Sequence, residues 1–215
     1  MRRILESTPF WIAVPAVASL LSTTGSGAVS SEADEILEHQ PAEFVERLLE
    51  KKVVVLKELS ARPESEEFFL AYVIFEAPPA RAYALLADTA RHIEFRPELK
   101  GISTVSTHPR GNTDEHRLKV LFLDATYWVR YEKRPEERKL RWALDPAYPN
   151  RLKRTEGFWE LYEMGADRTL GRFGAMIDVG PALPQFFQKW VTRKNLPRTI
   201  ERARRWVDSD GSYRP

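Results

Sequence analysis

From Leu99 onward the chain alternates apolar and charged residues with a period of two, segment after segment. Leu118, Val120 and Phe122 alternate with Arg117 and Lys119, and Tyr127, Val129 and Tyr131 with Arg130 and Glu132. Leu140, Trp142 and Leu144 alternate with Arg141 and Asp145, and Gly157, Trp159 and Leu161 with Glu156 and Glu160. Phe173, Ala175 and Ile177 alternate with Arg172 and Asp178. Successive side chains of a strand point to opposite faces, so this pattern demands a sheet with one apolar, aromatic-rich face and one charged face. The strands are expected near 99–107, 114–124, 126–134, 138–145, 152–164 and 168–179. Their connections (HPRGNT, a break near Asp124-Ala125, RPEER, DPAYPN and MGAD) carry turn chemistry and are short, which makes the strands antiparallel neighbours in a meander.

The chain before and after the meander supplies helices. Residues 31–51 have acidic and hydroxyl residues at their start and apolar positions at helical spacing, with Pro41 dividing the segment. KKVVVLKEL, 51–59, reads as a strand, and Phe68–Ala77 as a second. Pro78 and Pro79 end that strand, because proline lacks the N–H a ladder needs and fits the first turn of a helix. ARAYALLADT and ARHIEFR then read as two short helices in quick succession. Residues 183–209 form a long amphipathic pattern. Phe186, Phe187, Trp190, Val191, Leu196, Ile200, Ala203, Trp206 and Val207 make its apolar stripe, and a bend is expected at Pro197.

The chain is divided accordingly into residues 1–30, a secretory signal peptide; 31–66, an N-terminal helix and extra strand; 67–209, the main domain; and 210–215, a tail. The first thirty residues pair Arg2 and Arg3 with the apolar run Phe10–Leu21 and a small-residue exit, the arrangement of a leader cleaved after Ala28 or Ser30. An uncleaved anchor or a loose N-terminal helix is the alternative. The expectation is export, to a periplasm. The formal charge of +2 over 215 residues argues against a dedicated nucleic-acid binder. The absence of cysteine excludes disulfides and thiolate chemistry.

Strand, two short helices, six-stranded meander and long last helix together resemble the START-like superfamily, also called SRPBCC. This superfamily includes the polyketide cyclase/dehydrase and coenzyme Q-binding types and the birch-pollen-allergen-like proteins. The residues that carry the resemblance are AYVIFEAPPARAYALLADTARHIEFRPELKGI, GFWEL, and LPQFFQKWV through LPRTIERARRWV. The resemblance implies an α+β helix-grip fold, a curved antiparallel sheet wrapped around a long C-terminal helix. It also implies a hydrophobic ligand, such as a lipid, quinone, sterol-like molecule or polyketide, held between sheet and helix. Enzymes share the fold, so a cyclase, dehydratase or isomerase acting on a hydrophobic carbonyl substrate is the alternative.

The expected ligand-binding wall is Phe122, Tyr127, Tyr131, Trp142, Trp159 and Phe173 from the sheet, with Phe186 and Trp190 from the helix. Phenol and indole groups in such a wall need polar partners when buried, which water or a ligand in a pocket supplies. No catalytic constellation stands out, and neither a cofactor nor a metal is expected: His39, His92, His108 and His116 lie apart, and none has a partner at metal-ligand spacing. His92 is expected as a cap or surface residue, and His116, in register with Leu118, as a satisfied histidine near the sheet end. No carboxylate or lysine is in strand register with the inward tyrosines. The last helix carries Lys189, Arg193, Lys194, Arg198, Arg202, Arg204 and Arg205 against Glu201. A solvated face is the plain reading, and transient contact with an anionic membrane surface the functional one.

Overall fold

The computed structural model describes residues 31–51, 53–57, 69–120, 123–180 and 195–215. The leader-like segment therefore lies outside the described residues, as do Phe122, Phe186 and Trp190. Two helices open the fold, α1 at Glu32–Glu38 and α2 at Ala42–Leu49. Ser31 caps α1 with a reciprocal capping box to Asp34, and Pro41, at the N-cap of α2, separates the two as the sequence expects.

The sheet has eight strands: β1 Val54–Lys57, β2 Phe69–Phe75, β3 Leu99–His108, β4 Gly111–Val120, β5 Leu123–Arg134, β6 Lys139–Leu144, β7 Arg154–Glu163 and β8 Thr169–Asp178. Their spatial order is β1-β2-β8-β7-β6-β5-β4-β3, and every pairing is antiparallel. Strands β3 to β8 are the expected meander. Strand β2 pairs with β8, so after Phe75 the chain must travel to the opposite edge of the sheet to begin β3. Pro78-Pro79 starts that crossing. Pro79 is the first residue of α3, Pro79–Ala87, and a 3-10 turn, Thr89–Glu94, completes the crossing.

The last helix, α4, is described from Leu196 to Asp208. Its buried stripe is Leu196, Ile200, Ala203, Trp206 and Val207, the expected apolar positions. Pro197 is the second residue of the described helix, and the stretch before Asn195, on which the expected bend depends, lies outside the described residues. The grip is tied at its closed end: the Asp208 carboxylate accepts from the backbone N–H of Glu76 at 2.8 Å, and the Trp206 indole N–H donates to Glu94 at 3.0 Å. Among the described residues, no helix is long and apolar enough to cross a membrane.

Two cores form, one on each side of the sheet. The inner core joins Val73, Phe75, Leu86, Val129, Leu161 and Trp206 under the grip. The outer core packs Leu37, Phe44 and Leu48 of α1 and α2 on Tyr72, Ile74 and Leu170. Strand β2 is consequently buried on both faces, which explains its continuous apolar run FLAYVIF where the later strands alternate.

Candidate functional site

Between the inner face of the sheet and the start of α4 lies a cavity of about 110 Å³. Tyr127 of β5, Trp142 of β6 and Phe173, Ala175 and Ile177 of β8 supply its sheet wall, and Leu196 and Thr199 its helix wall. Of the expected binding residues, Tyr127, Trp142 and Phe173 thus meet at one chamber. Trp142 and Phe173 pack with ring centroids 5.6 Å apart. Trp159 stands one layer behind, edge-on to Phe173 at 4.7 Å and 5.7 Å from Phe75, and serves as core.

Tyr131, though buried, does not line the chamber; His116 lies between the two tyrosines, its ring 5.2 Å from Tyr127 and 6.2 Å from Tyr131. The Tyr131 hydroxyl lies 3.4 Å from His116 Nε2, and the Tyr131 ring meets His92 edge-on at 6.3 Å. The face of β4 that carries Leu118 becomes polar towards the strand's start, where Asn112, Asp114 and His116 are all buried. Asp114 accepts from Thr89, Thr104 and Asn112. His92 is not the cap or surface group the sequence predicts: it is buried, and its Nε2 meets the Leu86 carbonyl at 2.8 Å. The contact gives a partner to one of the carbonyls that the end of α3 leaves without an intrahelical donor. His116 is buried as its register implies, but its Nδ1 has no hydrogen-bond partner among the described residues, so it is only partly satisfied. Burial brings the His92 pKa down to about 4 against the opposing pull of the Leu86 carbonyl. Burial, aided by the nearby Arg96 charge, lowers His116 well below the ordinary histidine range.

The chamber has a polar end that strand register could not reveal. Arg96 and Glu98, from the segment entering β3, both line it. Arg96 Nε donates to Glu98 at 3.3 Å, Asn195 Nδ2 donates to the same carboxylate at 3.4 Å, and Arg202 stands 3.6 Å from it. Burial raises the Tyr127 pKa, and the adjacent Arg96 charge opposes that rise. The expectation that no carboxylate stands in strand register with the inward tyrosines is corrected by Asp114, buried on β4 opposite Val129, whose charge adds to the rise that burial gives the Tyr131 pKa. Glu98 is a second carboxylate, brought by a loop from outside the period-two pattern. The Thr199 hydroxyl, also on the cavity wall, is buried without a hydrogen-bond partner among the described residues.

The cations of α4 are less free than the sequence suggests. Arg204 pairs with Glu201 and Asp208, Arg205 with Glu201, and Arg202 with Glu98. Arg198 is exposed, and Lys189, Arg193 and Lys194 lie outside the described residues.

No family model matches the sequence, and no curated protein matches it. Solved structures do. A STAR-related lipid transfer protein fragment from Xanthomonas axonopodis aligns with TM-score 0.58 at 17% identity, over 73% of this chain and 94% of that one. A START superfamily protein from Mycobacterium smegmatis aligns with TM-score 0.56 at 14% identity, over 66% of this chain and 97% of that one. The Zhui aromatase/cyclase from Streptomyces sp. R1128 aligns with TM-score 0.53 at 14% identity, over 68% and 98%. These alignments, together with the eight-stranded antiparallel sheet and the helix packed on it, give this chain the START-like helix-grip fold.

Proposed function

We propose that the chain binds an apolar small molecule, or the apolar part of a larger one, in the chamber between the sheet and α4. One observation carries this reading: a cavity walled mainly by aromatic and aliphatic side chains that keeps a charged group, Arg96–Glu98, at one end. Removing apolar surface from water supplies the affinity, at roughly 25 cal/mol per Å². The volume limits the occupant. About 110 Å³ is below the roughly 300–1,000 Å³ of sites for drug-sized ligands and near the ~150 Å³ of a cavity that takes benzene. The chamber thus holds one ring or a short alkyl segment, and a bulkier ligand requires its walls to part. The lipid transfer protein among the structural neighbours supports the same reading at the level of ligand class.

Organic extraction of the purified protein followed by mass spectrometry tests the proposal. A bound amphiphile recovered at near-stoichiometric yield is the expected result; empty extracts together with no uptake of apolar fluorescent probes would sink it.

The second reading, a cyclase, dehydratase or isomerase, is favoured by the Arg96 charge beside the buried Tyr127 hydroxyl, because that pair could polarise a carbonyl. Tyr127→Phe separates the two. A carrier keeps its affinity within about threefold, whereas an enzyme loses turnover with binding largely retained. Export, and release of ligand at an anionic bilayer through Arg198 and the basic segment before α4, are part of the proposal.

A further inference from the structure

We infer that a groove on the outward side of α4, lined by Arg198, Arg202 and Arg205 and bordered by Tyr213, holds a phosphate group. The groove shares no lining residue with the chamber, and its ligand does not depend on what the chamber takes. The phosphate can belong to a soluble ester or to a lipid headgroup; only the second source rests on the bilayer contact proposed above.

The groove is built by the helix and by the tail that follows it. Arg198, Arg202 and Arg205 stand at spacings of four and three, so they share one stripe of α4. Past the helix the Gly211 N–H donates to the Trp206 carbonyl at 2.7 Å, with the glycine at φ 81°, a left-handed turn that sends the tail back. The Tyr213 N–H donates to Ser209 Oγ at 2.8 Å, and the tyrosine ring lies 5.9 Å from the Arg205 guanidinium. Stripe and ring border a groove of about 340 Å³, which has room for a phosphate group and the first atoms of its carrier.

The groove carries a positive surplus of its own. Its lining holds three guanidiniums and one carboxylate, Glu201. Both oxygens of Glu201 already accept from Arg204, at 2.7 and 3.0 Å, and Arg205 commits its Nε to the same group at 2.9 Å. Arg202 stands 3.6 Å from Glu98, beyond hydrogen-bond reach, and Glu98 already accepts from Arg96. Arg198 is exposed and pairs with no carboxylate among the described residues. Three cations less Glu201 leave two positive charges; counting Glu98 in full against Arg202 still leaves one. A phosphodiester carries one negative charge and a phosphomonoester close to two near neutral pH, which spans that range. All three cations are arginine, whose planar fork pairs two phosphate oxygens at once, and a tetrahedral group meets forks from several directions better than a flat carboxylate does. Arg205 is 55% exposed and Arg202 25%, so solvent screens the site and its affinity is modest.

The test uses the full chain with glycerol phosphate, inorganic phosphate and acetate at one ionic strength, read by calorimetry near neutral pH. Glycerol phosphate is expected to bind about tenfold tighter than acetate, and the double variant Arg198→Gln with Arg205→Gln should remove most of that advantage. Should that variant fail to fold, Arg198→Gln alone, at a residue with no partner to lose, should cost about threefold. Arg130→Gln with Arg141→Gln removes the same charge from exposed positions on β5 and β6 and should change binding by less than about twofold. Flotation with vesicles of phosphatidylcholine mixed with phosphatidate, against phosphatidylcholine alone, separates the sources. Phosphatidate-dependent binding that glycerol phosphate displaces assigns the headgroup; binding of the soluble ester without vesicle binding assigns the ester. Acetate binding as tightly as the phosphates, an equal loss in the Arg130/Arg141 control, vesicle binding that survives the α4 double variant, or no binding of any phosphate probe overturns the site. Uptake of ring-sized probes such as ethylbenzene by the parent protein reports on the chamber separately, so either reading can fail while the other stands.

Discussion

Two buried imidazoles set how this fold responds to acid. His92 and His116 are neutral when folded, chiefly because burial disfavours the charged ring. In the unfolded chain both titrate near the ordinary histidine value of about 6.5. As pH falls from there towards about 4, the unfolded chain takes up protons that the folded chain refuses, so their contribution, complete above about pH 6.5, is lost through that window. At about 1.4 kcal/mol per pKa unit, His92 alone accounts for a loss on the order of 3 kcal/mol. Stabilities from urea midpoints at about pH 7 and about pH 5 should differ by about 2 kcal/mol on account of His92, the part of that window crossed by pH 5, and His92→Gln should flatten the difference. Gly157 is a second residue with a readable purpose. It lies opposite Trp142 in the β6–β7 ladder, and a Cβ there would run into the Trp142 ring and the Gly174 carbonyl. Gly157→Ala should cost about 1–3 kcal/mol by displacing the indole. Thermal melts give that cost, and a changed tryptophan emission would report the moved ring.

At the level of elements, the N-terminal helices matter more than their position suggests. They cover the outer face of β2 and β8, where Tyr72, Ile74 and Leu170 would otherwise meet water. Leu48 is fully buried in that layer. Leu48→Ala should therefore destabilise the whole domain by about 2–5 kcal/mol, well beyond a local fraying of α2. Denaturant titration checks this: one cooperative transition with a lowered midpoint is the expected outcome, and an unchanged midpoint would make α1 and α2 an appendage. The two helices, the division at Pro41 and the extra strand were legible from spacing and proline chemistry. Their docking site was not, because the apolar run of β2 reads equally as a strand covered on one face or on both.

For the whole molecule, the chamber represents core volume left unfilled. Ala175 is buried on its wall. Ala175→Leu should fill much of the space, keep the thermal midpoint at or above that of the parent, and abolish uptake of the ring-sized probes. Loss of stability with binding retained would show that the chamber is not where ligand sits. Conversely, a ligand present at about one hundred times its dissociation constant should stabilise the parent by about 2.7 kcal/mol, which a melt resolves easily.

The sequence by itself determined the strands, the inward set Tyr127, Val129 and Tyr131, the Pro78-Pro79 crossing and the apolar stripe of the last helix. Period and proline chemistry are local properties, and these elements express them directly. Tertiary structure alone decided that Tyr127 lines the cavity while Tyr131, beside His92, does not. It likewise decided that Trp159 is core, and that Arg96 and Glu98 bring charge to an apolar chamber. Those outcomes depend on sheet curvature and on a loop returning beside the strands, and distances between residues far apart in the chain are not encoded in the order of their neighbours.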